Sequence, residues 1–200
     1  TAQSLMALTS YERFLSKKSG IYDCEALPIV FADIQDASAW AQDSLQKAAQ
    51  MGLLQGYDGK CYPQEALTRA ELTALLLRAL AQEMQTEKEL PFTDVPHNAW
   101  YYRDIQQAYA SGLVSGLSAT TFAPNTAITR EEMGVLCQRA FSLPGAAIPN
   151  TWTDKEEISV WAQKGVGAAA QQNLLTAYED QFAPKEQVTR EMAIVILLRA

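Results

Sequence analysis

Leu67-Thr68-Arg69-Ala70-Glu71 returns twice along the chain, as Ile128-Thr129-Arg130-Glu131-Glu132 and as Val188-Thr189-Arg190-Glu191-Met192. Each copy opens an apolar helical run. Thr followed three residues later by Glu is a capping-box pattern: the hydroxyl takes the N–H at the third helical position and the carboxylate reaches back to the cap N–H. This accounts for Thr68 with Glu71 and Thr129 with Glu132; Met192 breaks the third box. It leaves the arginine unexplained. A cation in the first turn opposes the helix dipole by about 0.3–1 kcal/mol. Three such arginines in register lead us to expect that the helix N-terminus and the guanidinium jointly face an anion.

Working outward, a shift of 121 residues lays the first unit on the last without a gap: Phe31 on Trp152, Asp33 on Asp154, Trp40 on Trp161, Tyr57 on Tyr178, Pro63 on Pro184. The middle unit follows at offsets of 61 and 60, through Asp94, Trp100, Gly116 and Pro124. Each unit begins aromatic-X-Asp. A Trp then precedes a first helix, marked in the first unit by Ala41, Leu45, Ala48, Ala49 and Leu53 at helical spacing. Gly52, Gly112 and Asn173 stand where a left-handed residue would end that helix. A turn-rich loop and a Pro lead to the Thr-Arg helix, whose last turn carries Arg78, Arg139 or Arg199, read as complementing the C-terminal dipole. Ala7-Leu8-Thr9-Ser10-Tyr11-Glu12 matches Ala66–Glu71 and predicts a degenerate second helix starting near Thr9. The units are therefore an N-terminal segment, 1–28, and repeats at 29–89, 90–149 and 150–200.

Composition narrows the function. The formal charge is −7, from 16 Lys+Arg against 23 Asp+Glu. Without a basic stripe this argues against nucleic acid and anionic membrane surfaces. No apolar run approaches the ~18 residues of a membrane span. No charged-then-apolar leader opens the chain, so an export signal is expected to be removed or to lie outside this sequence. Cys24, Cys61 and Cys137 are scattered, with no CxxC and a single His97, which disfavours zinc. They allow one disulfide or three free thiols. Cys61 occupies the place of Phe122 and Phe182, so a buried side chain is expected. The most regular acids fall once per repeat instead of pairing across one pocket as a glycosidase requires. Neither a phosphate-binding glycine loop nor a nucleophile–His pair occurs. No enzyme activity and no cofactor are expected.

Phe-x-Asp, Trp-Ala, Gly-(hydrophobic)₂-x-Gly-Tyr-x-Asp-Gly, Phe-x-Pro and Ile-Thr-Arg-Ala-Glu, in this order and repeated three times over 31–200, resemble the S-layer homology (SLH) domain. The resemblance implies an all-α fold: three helix-loop-helix repeats in a pseudo-threefold spindle with a shared central bundle. It also implies a non-catalytic module, exported to the bacterial cell surface, that binds secondary cell wall polymer carrying pyruvylated amino sugars through inter-repeat grooves. The ligand-binding residues it implies are Asp33, Trp40 and Arg69; Asp94, Trp100 and Arg130; Asp154, Trp161 and Arg190.

The chemistry of these side chains suits such a ligand. Arg holds a carboxylate in bidentate fashion. Asp accepts from sugar hydroxyls, and an indole face packs on a sugar's C–H face. Each has another reading: Asp as a helix cap, Trp as core, Arg paired with an acid of the neighbouring repeat. If the last holds throughout, the chain is a helical-repeat scaffold for a protein partner. Met192 and Ala177, in place of Glu and Gly, make the third repeat's groove the one expected to be weakest.

Overall fold

The computed structural model describes residues 31–80 and 88–200. The predicted helix near Thr9 lies outside them, as does Cys24. Among the described residues the regular structure is helical: α1 (Gln42–Gln50), α2 (Arg69–Ala79), α3 (Tyr102–Ala110), α4 (Arg130–Ala140), α5 (Gln163–Gln171) and α6 (Arg190–Arg199), with short 3₁₀ turns at Ile34–Asp36 and Lys155–Glu157. The fold is all-α, with two helices per repeat, as the sequence predicts.

Local chemistry sets the helix ends. The capping boxes of α2 and α4 are complete: Thr68 and Thr129 accept from the Glu71 and Glu132 N–H groups, and both carboxylates return to the cap. At α6 Thr189 accepts from the Met192 N–H and nothing returns. The first helices end on Gly52, Gly112 and Asn173, at φ of +70°, +76° and +56°. There the left-handed residue lets the backbone turn and occupy otherwise orphaned helix carbonyls.

The repeats join cyclically. The Leu67 N–H donates to the Val188 carbonyl, Val188 N–H to Ile128, and Ile128 N–H to Leu67, each at 2.9 Å. The aliphatic residue before each Thr-Arg pair thus belongs to one closed ring of three hydrogen bonds, and all three side chains are buried. The second helix of each repeat packs on the first helix of the next: α2 on α3, α4 on α5, α6 on α1. The α4–α5 pair is so close that a Cβ on Gly165 would lie 2.7 Å from the Val135 Cα. One apolar core runs through all three units, and Cys61 is in it at 1% exposure. Cys61 and Cys137 are free thiols. Burial and the Asp33 carboxylate push the Cys61 thiol up to about 12.

Candidate functional site

The same cyclic order builds the grooves. The N–H groups of Arg69 and Ala70 donate to the carbonyls of Thr126 and Pro124 in the second repeat. Arg130 and Glu131 donate to Glu186 and Pro184 in the third, and Arg190 and Glu191 to Glu65 and Pro63 in the first. The start of each Thr-Arg helix, α2, α4 and α6, is therefore docked on its neighbour's loop. This corrects the expectation of an open helix N-terminus: of the orphan donors of the first turn, the first two are taken by the neighbour's carbonyls and the third by the cap hydroxyl. The inter-repeat dock explains why the aliphatic-Thr-Arg stretch recurs.

The arginines lie at these joints and differ from one another. Arg69 donates from Nε to Phe122 O (3.0 Å), from Nη2 to Ser115 O (3.0 Å) and from Nη1 to Glu132 Oε1 (3.0 Å). Its guanidinium also stacks over the Phe122 ring at 4.8 Å. Arg190 donates to Glu71 Oε1 (2.8 Å), while its Nε is buried without a partner among the described residues. Arg130 donates from Nε to Phe182 O (2.7 Å) and from Nη2 to Thr176 O (2.6 Å), but among the described residues its Nη1 meets only the Tyr178 hydroxyl, at 3.5 Å. It stacks over two rings, Tyr178 and Phe182, at 4.8 and 4.9 Å.

Two of the three arginines thus pair with the capping glutamate of the next repeat, the ion-pair reading the sequence left open. Glu132 and Glu71 each serve twice: Oε2 holds the cap, Oε1 the guanidinium. Burial pushes the Glu71 carboxyl up, but the Thr68 hydrogen bonds and Arg190 outweigh it and hold the carboxyl below its usual range. Met192 is the third residue of this set, and it faces the Arg130 joint, within 4.0 Å of the Tyr178 hydroxyl. The lost glutamate therefore deprives Arg130 of its carboxylate, whereas Arg190 keeps one. That reverses the reason for expecting the Arg190 groove to be weakest. Burial lowers the pKa of both Arg69 and Arg130; Glu132 opposes it at Arg69, and Tyr178, Glu186 and Asp154 oppose it at Arg130.

The aspartates act on loops. Asp33 accepts the N–H groups of Cys61 (2.8 Å) and Tyr62 (2.7 Å), Asp94 those of Phe122 (2.9 Å) and Ala123 (2.7 Å), Asp154 those of Phe182 (2.9 Å) and Ala183 (2.6 Å). Tyr62, Ala123 and Ala183 are left-handed at φ of +50°, +60° and +54°. A conformation disfavoured for residues with a Cβ is clasped in place by both oxygens of one carboxylate. The side chain makes no helix cap at Asp33 or Asp154, so the capping reading gives way to this clasp. Burial pushes the Asp33 carboxyl up, and the Cys61 and Tyr62 hydrogen bonds more than reverse it.

The tryptophans are on the surface. Trp40, Trp100 and Trp161 are 53%, 62% and 60% exposed, which removes the core reading. Trp161 lines a groove of about 450 Å³ together with Arg69, Ser115, Leu117, Glu132 and Arg139. Three repeats meet there: Arg69 from the first, the loop and α4 of the second, Trp161 from the third. Arg139, read from sequence as a dipole partner, lines it too and donates to the Ser115 hydroxyl at 3.3 Å. The groove falls within the volume range typical of small-ligand sites, roughly 300–1,000 Å³.

The three units match the family model of the S-layer homology domain over residues 30–73, 91–133 and 153–193. The chain belongs to the S-layer homology family. S-layer homology domains anchor proteins to the cell wall, and the family places the chain in association with the cell surface. The chain is similar to a surface-layer 125 kDa protein of Lysinibacillus sphaericus, 29% identical over 172 residues, covering 84% of this chain and 14% of that protein. It is similar to an amylopullulanase of Thermoanaerobacterium thermosulfurigenes, 34% identical over 177 residues, covering 84% of this chain and 9% of that protein. A cellulosome-anchoring protein of Acetivibrio thermocellus is 33% identical over 96 residues, covering 48% of this chain and 21% of that protein. The chain thus spans only a small part of these relatives. Among the described residues no helix is long and apolar enough to cross a membrane.

One feature of these joints was not anticipated from the sequence. Glu131 and Glu191, which follow the arginine, are 4% and 2% exposed. Glu191 accepts from the Ser38 N–H and hydroxyl, and Glu131 from those of Ser159. Each ties the segment before the next repeat's Trp. The signal was present as a correlated pair: Glu stands opposite Ser two residues before Trp, and Ala70 stands where that position is Asn98.

Proposed function

We propose that the chain is a non-catalytic anchoring module that holds an exported protein on a bacterial cell wall by binding a pyruvylated amino-sugar polymer. Its units are 29–89, 90–149 and 150–200, with the grooves related by approximate threefold rotation about the ring at Leu67, Ile128 and Val188. The observation that carries this reading is the groove in which a buried arginine lies beneath an exposed tryptophan, Arg69 with Trp161. Guanidinium at the floor suits a ketal carboxylate, and indole at the rim suits a sugar face. By the cyclic order, Arg130 is grouped with Trp40 and Arg190 with Trp100. Asp33, Asp94 and Asp154 serve the ligand by shaping the loop that carries the groove wall.

The scaffold reading has the Arg69–Glu132 and Arg190–Glu71 pairs in its favour, since both are inter-repeat contacts. Sedimentation with purified wall sacculi separates the two. Anchoring predicts that the protein pellets with intact sacculi and stays in solution once the polymer, or its pyruvyl group alone, is removed. Pelleting that ignores the pyruvyl group would reject the acidic-ligand assignment.

A further inference from the structure

The three joints differ in whether a carboxylate is bonded to the arginine, and the residue that sets this is the third helical residue of the following repeat: Glu132 for Arg69, Glu71 for Arg190, Met192 for Arg130. We propose that Met192 makes the Arg130 groove the tight anion site of the module, while Glu132 and Glu71 keep the other two self-neutralised. The proposal rests on the anchoring reading above and adds which groove dominates and what controls it.

The geometry supports it from both sides. In the Arg69 groove the Nη1 that would take a ligand carboxylate already holds Glu132 at 3.0 Å. That glutamate cannot swing away freely, because its other oxygen accepts the Thr129 cap N–H at 2.9 Å. A ligand acid entering there must break a charge-assisted bond and leave a partly buried carboxylate beside its own. At the Arg130 joint no carboxylate among the described residues is bonded to the guanidinium. Arg130 is 4% exposed, so its charge is desolvated; two carbonyls and two ring faces touch it, and Glu186 and Asp154 act on it without a direct bond. The Tyr178 hydroxyl on Nη1 is held only at 3.5 Å, and Tyr178 is 51% exposed. An incoming carboxylate takes the place of that hydroxyl and supplies the missing counterion. A desolvated cation without an ion-pair partner gains more from an anion than one already paired.

The test uses Met192→Glu and Met192→Gln in the whole chain, with a pyruvylated disaccharide as titrant and calorimetry as the readout. Either replacement can complete the capping box, since Gln serves at that position as well as Glu, but only Glu brings charge. Met192→Glu is expected to weaken the tightest site by about tenfold or more, and Met192→Gln to leave it within about threefold. Glu132→Gln, which retains the cap, is expected to tighten a second site. Met192→Glu should also melt at a higher temperature than Met192→Gln, because the introduced carboxylate pairs with Arg130; equal melting would overturn the proposal without reference to any ligand. Equal effects of the two substitutions on binding, or none, would overturn it while leaving anchoring intact. A wild-type chain that binds neither disaccharide nor sacculi would reject both.

Discussion

The Arg69 and Arg130 joints are built from equivalent residues in the same cyclic order, yet they balance charge by different means. Both guanidiniums donate from Nε to the carbonyl of a loop phenylalanine and from Nη2 to a loop carbonyl. Arg69 then has one ring face and one carboxylate, whereas Arg130 has two ring faces and none. The difference teaches that the capping glutamate carries two duties in this fold. Replacing it changes a helix end in its own repeat and the electrostatics of the preceding repeat's arginine. A substitution in one unit must therefore be scored in the groove where its side chain ends, which here belongs to the unit before it.

The largest expected effect tests whether the two joints really are equivalent. Asp94 clasps the Phe122 loop and Asp154 the Phe182 loop, each through two N–H groups. Removing either carboxylate strands two donors, each bonded to a charged acceptor worth about 1.5–3 kcal/mol. Asp94→Ala and Asp154→Ala should each cost about 3–5 kcal/mol in urea unfolding, and by similar amounts. A large cost at only one of them would break the equivalence.

Next in size is the ligand response. Arg130→Ala should lower affinity for the pyruvylated disaccharide by about one to two orders of magnitude, and Arg69→Ala by less, because Glu132 already engages that guanidinium. Lysine should rescue Arg130 only in part, since an ammonium lacks the fork and the flat face that stacks on Tyr178 and Phe182. Calorimetric titration beside thermal melts decides the order, and Arg69 dominance would reverse the comparison.

Stability should run the other way. Arg69→Met leaves Glu132, 19% exposed, without its cation, and stranding one member of a partly buried pair is destabilising. Arg130→Met removes a desolvated charge to which, among the described residues, no carboxylate is directly bonded. We expect Arg69→Met to cost about 1–2 kcal/mol more than Arg130→Met in chemical denaturation. Equal costs would show that the pair contributes little.

Much of this is legible in the sequence alone. The capping boxes, the left-handed residues at Gly52, Gly112 and Asn173, the buried Cys61 and the two-helix repeats all follow from local chemistry written in adjacent residues. The partners of the arginines did not follow, because they lie in the next repeat, and a single sequence shows what recurs without showing what it faces. The docking of the Thr-Arg helix starts was not legible either, because the carbonyls that take their first N–H groups, Thr126 and Pro124 for the first repeat, are backbone atoms that carry no sequence mark. Asp33 and its equivalents were read as sugar acceptors or caps for a related reason: their partners are N–H groups 28 and 29 residues downstream. The exposed Trp residues were ambiguous because an aromatic before an amphipathic helix suits either core or surface.

The smallest effect concerns the rim. Leu117 lies in the Arg69 groove at the position held by Tyr178 in the third repeat and Tyr57 in the first, and it is 59% exposed. Across that groove Trp161 presents its indole. An aromatic facing it would give a sugar ring two flat partners, where now it has one and an aliphatic side chain. Leu117→Tyr should therefore tighten binding through the Arg69 groove by about 0.5–1 kcal/mol, a few-fold in affinity, without moving the melting temperature, because an exposed rim residue contributes little to the core. The gain should be clearest in a Met192→Glu background, where the Arg130 groove is silenced and the Arg69 groove is read alone. If Leu117→Tyr changes nothing there, the two grooves differ by their counterion and not by their rim; if it matches the gain from Glu132→Gln, rim and counterion weigh equally in setting which groove leads.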